Sequence, residues 1–395
     1  MNKILYGVQA TGNGHITRAR LLVPWLRRVG FDVDVLISGR ERTKLFGLDE
    51  LGHYRFRHGF TFALDDGRVD VVRTLLNAQC KRFWRDVRNL SLDQYEYILT
   101  DFEPVTAWSA RLQGRECIGI GHQYAFQYAV PKQGFDPVAR AVMRWFAPVS
   151  LSLGLHWDGF GAPILPPIVD TGTQHRASLP GRYLVYLPFD SITRVMRLLN
   201  QFPEVQFTYY CAVDSPQGAG HIRQKPYSRS GFQEDLAGVE GVICGAGFEL
   251  PSEALHAGKK LLVQPLRGQF EQASNAKALQ LLSLASVMHD LDPESLRAFI
   301  CQPPATPMHY PNVAKAVAFW LQSGARESVD ALSNRLWQAV AMGAPQAASG
   351  INRSFLKAAE RAEYTPAPAR AVQRDTDGSV GSGLPRWSQT GSGQG

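Results

Sequence analysis

No apolar run in the chain approaches the ~20 residues that a membrane-crossing helix needs. The nearest candidate, 141–157, is broken by Arg144, Pro148 and Ser150. The opening residues, Met1-Asn2-Lys3-Ile4-Leu5-Tyr6, lead straight into a strand-like pattern and hold no signal-peptide core. Cysteine is scarce: Cys80, Cys117, Cys211, Cys244 and Cys301 form no Cys-x-x-Cys pair and leave an odd one over, which argues against a disulfide framework. These absences set the expectation of a reduced, cytoplasmic protein. No basic run interleaves with aromatics densely enough to read RNA or DNA, so no nucleic-acid partner is expected. Of the aspartate pairs, Asp32-x-Asp34 lies inside a strand pattern and Asp65-Asp66 in a loop. Neither sits at a strand end, so no metal site is expected.

What is present is a globular composition over 395 residues, too long for one core and suited to two domains. The net charge is +7, and 21 Lys and Arg against 16 Asp and Glu place +5 of it in residues 1–165. That bias either favours an anionic partner or describes a plain solvated surface. Strands are expected at 3–8, 32–37, 95–100 and 116–120, alternating with helices at 16–29, 70–90 and 105–112. Gly159, Gly161, Pro163, Pro166, Pro167, Gly172, Pro180 and Gly181 then mark a linker over 166–182. The alternation restarts, with strands at 183–187, 205–210, 241–244 and 260–264 and helices at 191–200, 251–257 and 269–282. Helices at 313–322, 328–341 and 351–363 close the fold, and a Pro/Ala then Gly/Ser/Gln tail over 365–395 is expected to be disordered. The expectation is an N-terminal α/β domain over 1–165, a second α/β domain with closing helices over 183–364, and parallel sheets facing across a cleft.

The first strand runs into Gly12-Asn13-Gly14-His15-Ile16-Thr17-Arg18 at a helix start. Two glycines let backbone approach a ligand, and the helix start offers unpaired N–H groups. A third glycine would fall at Thr17, so this is not a dinucleotide fingerprint, and no Gly-Lys-Ser/Thr makes it a Walker loop. At such a junction His15 faces the crevice at the carboxyl ends of the strands, where an imidazole can take a proton from a hydroxyl. Capping or core packing is the alternative. Asp101, closing the strand before Phe102-Glu103-Pro104, either orients His15 or caps the next helix. His122 and Gln123 end the following strand at the same edge, as cleft lining or acceptor contacts.

In the second half a buried strand breaks into Gly245-Ala246-Gly247, whose amides suit a diphosphate, before a helix with Pro251 in its first turn. Glu253, one turn in, can accept from both ribose hydroxyls. After the next strand, Gln269, Glu271, Gln272 and Asn275 suit sugar hydroxyls.

The stretch 244–276 resembles the donor-binding region of GT-B nucleotide-sugar glycosyltransferases, a group that includes the UDP-glycosyltransferases and the GlcNAc transferase that makes lipid II. Gly12-Asn13-Gly14-His15 is similar to their Gly-x-Gly-His loop, and Asp101 stands where plant members carry the aspartate that orients the histidine. The likeness extends over about residues 3–300 and is closest to a bacterial and archaeal branch with Gly-x-Gly-His-x-x-Arg and Asp-Phe-Glu-Pro motifs. It implies a GT-B fold of two Rossmann-like domains and inverting transfer with His15 as general base and Asp101 as its partner. The donor site implied comprises Gly12, Gly14, Gly245, Ala246, Gly247, Glu253 on the ribose, Gln269, Glu271 and Gln272 on the sugar, and Asn275. The nucleotide sugar, implied to be UDP-linked, is a substrate, and neither cofactor nor metal is implied. The acceptor stays open between lipid-linked and polysaccharide. Trp84, Trp145, Phe146 and Trp157 either meet an anionic membrane surface or pack in the core. Two departures stand out. The plant-type His-Cys-Gly-Trp-Asn-Ser run is Gly245-Ala246-Gly247-Phe248-Glu249-Leu250 here, which sets Glu249 near the expected phosphates. Arg18 replaces a common proline and is the candidate substitute cation. A non-catalytic binder with a relic site and a nucleotide-sugar 2-epimerase are the alternative functions.

Overall fold

The computed structural model describes residues 2–42, 48–60, 63–65, 68–70, 80–134, 137–172, 178–218 and 220–342. Its first strand, β1 (Lys3–Gln9), is buried from Ile4 onward, as a central parallel strand covered on both faces must be. There follow α1 (Asn13–Arg28), β2 (Asp32–Ser38), β3 (Tyr54–Phe56), an antiparallel hairpin of β4 (Ala63–Asp65) and β5 (Arg68–Asp70), and α2 (Cys80–Arg88). β6 (Tyr97–Asp101), α3 (Pro104–Leu112), β7 (Ile118–Gly121), α4 (Pro137–Trp145) and β8 (Leu151–Gly154) complete the first half. Its six-stranded sheet runs in the order β3-β2-β1-β6-β7-β8, all parallel.

The second half repeats the plan. It comprises β9 (Arg182–Tyr186), α5 (Ile192–Leu199), β10 (Gln206–Tyr210), β11 (Ile222–Lys225), α6 (Arg229–Gly238), β12 (Gly241–Gly245), α7 (Glu249–His256), β13 (Lys260–Gln264), α8 (Phe270–Leu281), β14 (Ser286–Val287) and α9 (Pro293–Ile300). These strands pair in parallel in the order β11-β10-β9-β12-β13-β14. In each sheet the order reverses beside its first strand, and the crevice at that switch is where open α/β sheets bind ligands. One switch lies between β1 and β6, the other between β9 and β12.

After a two-stranded pair of β15 (Met308–His309) and β16 (Ala341–Met342), whose connection carries α10 (Val313–Gln322) and α11 (Val329–Gln338), the description ends. α10 returns to the first half: Gln322 Nε2 donates to Val29 O at 2.8 Å and Lys315 Nζ lies 5.6 Å from the Trp25 ring. Ser333 Oγ and Trp337 Nε1 of α11 both donate to Ile164 O at 2.7 Å. One apolar cluster runs through both halves, from Ile4 and Leu22 through Trp157 and Phe248 to Val263 and Trp320.

Two expectations change. The helix expected over 70–90 is helical over Cys80–Arg88, and Asp70 closes a hairpin strand instead. The cap of α3 is Glu103, whose carboxylate accepts from Val105 N and Thr106 N at 2.8 and 2.7 Å, so Asp101 is not the capping residue. The helix expected at 351–363 and the tail over 365–395 lie outside the described residues. No helix among the described residues is long and apolar enough to cross a membrane.

Candidate active site

The register that sets Asp101 beside Val8 carries the end of β6 next to the β1–α1 turn. His15, in the first turn of α1, places Nδ1 2.7 Å from Asp101 Oδ1. Arg18, one turn later, grips the same carboxylate twice, Nε to Oδ2 at 2.6 Å and Nη2 to Oδ1 at 2.7 Å. Tyr6 Oη donates to Oδ2 at 3.4 Å. Asp101 is fully buried. Burial alone would push its carboxyl up, but the Arg18 guanidinium, then His15, outweigh that and hold it below the usual range. A carboxylate so placed accepts, so His15 carries its proton on Nδ1 and leaves the Nε2 lone pair available. Arg18 Nη2, 3.1 Å from Nδ1, is then a neighbouring cation rather than a donor to it.

Arg18 was the candidate cation for a phosphate, and the geometry overturns that. It is 2 % exposed, and its remaining nitrogen, Nη1, donates to the Glu249 carboxylate of α7. Buried between two carboxylates, the guanidinium is spent inside the protein rather than offered to a ligand. Glu249, whose charge threatened the diphosphate, is correspondingly turned away into this pair. Burial pushes its carboxyl up to about 8, and Arg18 opposes that rise.

The residues expected on the donor side divide between open and engaged positions. Gly12 and Gly247 both face open space, with nothing within 4 Å of where a Cβ would stand. Ala246 N, by contrast, is engaged with Gln264 O at 3.1 Å, which leaves Gly247 and the α7 start as the amide donors. Glu253 accepts from Gln233 Nε2 at 3.0 Å, and burial pushes its carboxyl up to about 7. Glu271 accepts from Gln123 Nε2 at 3.0 Å across the two halves. Gln269 caps α8, and Gln272 Oε1 accepts from Leu266 N at 3.0 Å. Asn275 departs from its expected role. Fully buried, it binds His122 Nε2 through Oδ1 at 2.6 Å and Ala246 O through Nδ2 at 3.0 Å. His122 in turn holds Leu155 O at 2.8 Å and stacks on Phe248 at 4.1 Å. The pair pins the halves together and is not available to a sugar.

One residue was not anticipated. Arg40, just beyond β2, lays Nη1 on Asn13 Oδ1 at 3.0 Å and Nη2 on Thr11 O at 3.2 Å. No carboxylate among the described residues pairs with it. Tyr186, at the end of β9, acts on it electrostatically and registers with Cys244 immediately before the Gly245 loop.

The chain matches glycosyl transferase family 1 over residues 2–304. It belongs to that family. Solved structures agree on the fold. The glycotransferase of kitacinnamycin is 16 % identical, with a TM-score of 0.53 over 86 % of this chain and 97 % of that one. MurG of Acinetobacter baumannii is 14 % identical, with a TM-score of 0.51 over 82 % and 99 %. UGT89C1 of Arabidopsis thaliana, solved with UDP, is 14 % identical, with a TM-score of 0.50 over 85 % and 99 %. Among curated proteins, none matches this chain. The glycosyltransferase therefore has the GT-B fold that its motifs implied.

In this glycosyltransferase the two sheet switches bring together a histidine–aspartate pair and an open glycine loop. Sequence reasoning reached both, and missed the way Arg18 and Glu249 bind each other across 231 residues. Arg40 had one available signal, its place immediately after a β2 strand end at the ligand edge of the sheet.

Proposed function

We propose that this glycosyltransferase transfers a sugar from a nucleoside-diphosphate donor to an acceptor hydroxyl, with inversion and His15 as general base. The observation that carries this is His15, with Nδ1 on a buried, ionised Asp101 and Nε2 free for the acceptor proton. As the proton transfers, Asp101 stabilises the imidazolium and the base need not reorient. A single direct displacement at the anomeric carbon inverts it.

The donor diphosphate would lie between Gly12 and Gly247, where both loops face open space. Its charge would be met by the amides that start α7 and by Arg40, which makes the transfer independent of a metal in this reading. Glu253 would hold the ribose hydroxyls, and Glu271 with Gln272 the sugar. Uridine as the base rests on likeness to UGT89C1, which was solved with UDP. A lipid-linked acceptor at an anionic membrane face draws support from α4, which has no buried residue. There Trp145 is 44 % exposed, with Arg111 and Arg144 over its ring at 5.4 and 5.2 Å. Trp157, by contrast, is core. The binding-only alternative loses one of its motives, because Glu249 faces Arg18 rather than the phosphates.

His15→Ala should lower kcat by roughly 10²–10⁴-fold while donor affinity, read by calorimetry, stays within a few-fold. Transfer within a few-fold of wild type would remove the base assignment.

A further inference from the structure

The base of this enzyme has an unusual neighbour. Arg18 sits 3.1 Å from His15 Nδ1 and holds both oxygens of Asp101. A guanidinium there cancels the charge that Asp101 offers to an imidazolium, and it repels the positive charge that His15 acquires on taking a proton. A His–Asp pair with only Arg18 beside it would be a poor base. The second carboxylate on Arg18, Glu249, returns the lost negative charge. With Glu249 ionised, which its contact with Arg18 favours and its burial opposes, the cluster of Asp101, Arg18 and Glu249 carries a net charge of −1 before proton transfer, and with His15 protonated it is neutral.

Glu249 comes from the other half of the molecule and is the first residue of α7, directly after the 245–247 loop and Phe248. Its seat depends on a second feature. A Cβ on Gly14 would lie 2.6 Å from Glu249 Cγ, so the absence of a side chain at Gly14 is what lets the carboxylate reach Arg18. The donor loop and the charge around the base are therefore one assembly.

We propose that Glu249 is a positioning residue that sets the strength of the base through Arg18, so that His15 is a competent base only while the donor-side helix is seated on Gly14. This rests on the reading of His15 as the base. Among the groups near the cluster, Arg18 favours the ionised Glu249, while burial, Asp101, Glu253 and Glu271 oppose it. Tyr6 on β1 and Asp101 on β6 lie below the imidazole, Arg18 lies on its own helix, and Glu249 and Glu253 come from α7. Glu271 on α8 faces Gln123, and His122 stacks on Phe248, so neither takes the place of Glu249 on Arg18.

The test is the pH profile of kcat/KM for Glu249→Gln, which keeps the shape and an acceptor for Arg18 but drops the charge. The acid limb should move down by about one pH unit, with a fall of about tenfold in plateau kcat. Arg18→Gln combined with Glu249→Gln restores the net charge of −1 and should bring the limb back toward its wild-type position. Gly14→Ala leaves every charge in place but unseats Glu249, and should move the limb in the same direction as Glu249→Gln. A limb that stays put in both Glu249→Gln and Gly14→Ala, or an effect confined to donor KM, would overturn the proposal. His15→Ala separates the two levels. If it stays active, the base reading itself fails. If it is dead while the limb of Glu249→Gln is unmoved, only the role of Glu249 fails.

Discussion

Glu253 is a buried carboxyl whose hydrogen-bond partner is neutral: it accepts from Gln233, and burial lifts it to about 7. A carboxylate that receives ribose hydroxyls works best ionised. Donor affinity should therefore strengthen as pH rises from 6 to 8, and Glu253→Gln should flatten that dependence in calorimetric titrations. Stability runs the other way. An unfolded glutamate titrates near 4.3, so between about 4.3 and 7 the folded chain holds a proton that the unfolded chain has released, and this group's contribution to stability falls as pH rises through that window. Thermal melts at pH 5 and pH 8 should show a smaller pH-dependent loss for Glu253→Gln than for wild type. Loss of affinity together with relief of the acid-to-neutral decline is a signature that a purely structural glutamate would not give.

At the scale of elements, α3 shows how a short motif divides its tasks. Asp101, Phe102, Glu103 and Pro104 contain two carboxylates two residues apart, and the turn at Phe102, with φ of 54°, sends them to opposite duties. Glu103 caps α3 and also receives Ser38 Oγ at 2.6 Å, while Asp101 is released to the crevice. Glu103→Ala should destabilise the fold by about 1–3 kcal/mol, read from the urea midpoint, because two helix-start amides and a buried hydroxyl lose their acceptor. The sequence showed that a strand ends and a helix begins here, but not which acid caps, because the choice depends on one backbone angle. Legibility elsewhere followed burial. β1, β12 and β13 are central strands identified by apolar runs, whereas β3, β8, β11 and β14 are two to four residues long and are held by pairing with distant strands. The site divides in the same way. His15, Gly247 and Glu253 were readable from strand-to-helix junctions. Glu249 lies 231 residues from Arg18, and His122 lies 153 residues from Asn275, where no local period points.

Across the whole molecule, the seam between the halves is built like a core. Asn275 meets His122, Trp157 Nε1 donates to Ser252 Oγ at 2.8 Å, and Phe248 packs between His122 and Trp157. Asn275→Ala leaves His122 Nε2 buried without its partner and should cost about 1–3 kcal/mol. Calorimetry should show the loss in one shared transition rather than in one half alone, since the main cluster spans both sheets. The return of α10 onto α1 carries a further consequence for how the chain is made. A ribosome releases residues in order, so Trp25 of α1 and the helix end at Val29 lack their α10 neighbours until Val313–Gln322 has emerged. A nascent chain stalled anywhere before that helix presents a greasy, half-finished surface, which makes it a natural client for chaperones and proteases during synthesis.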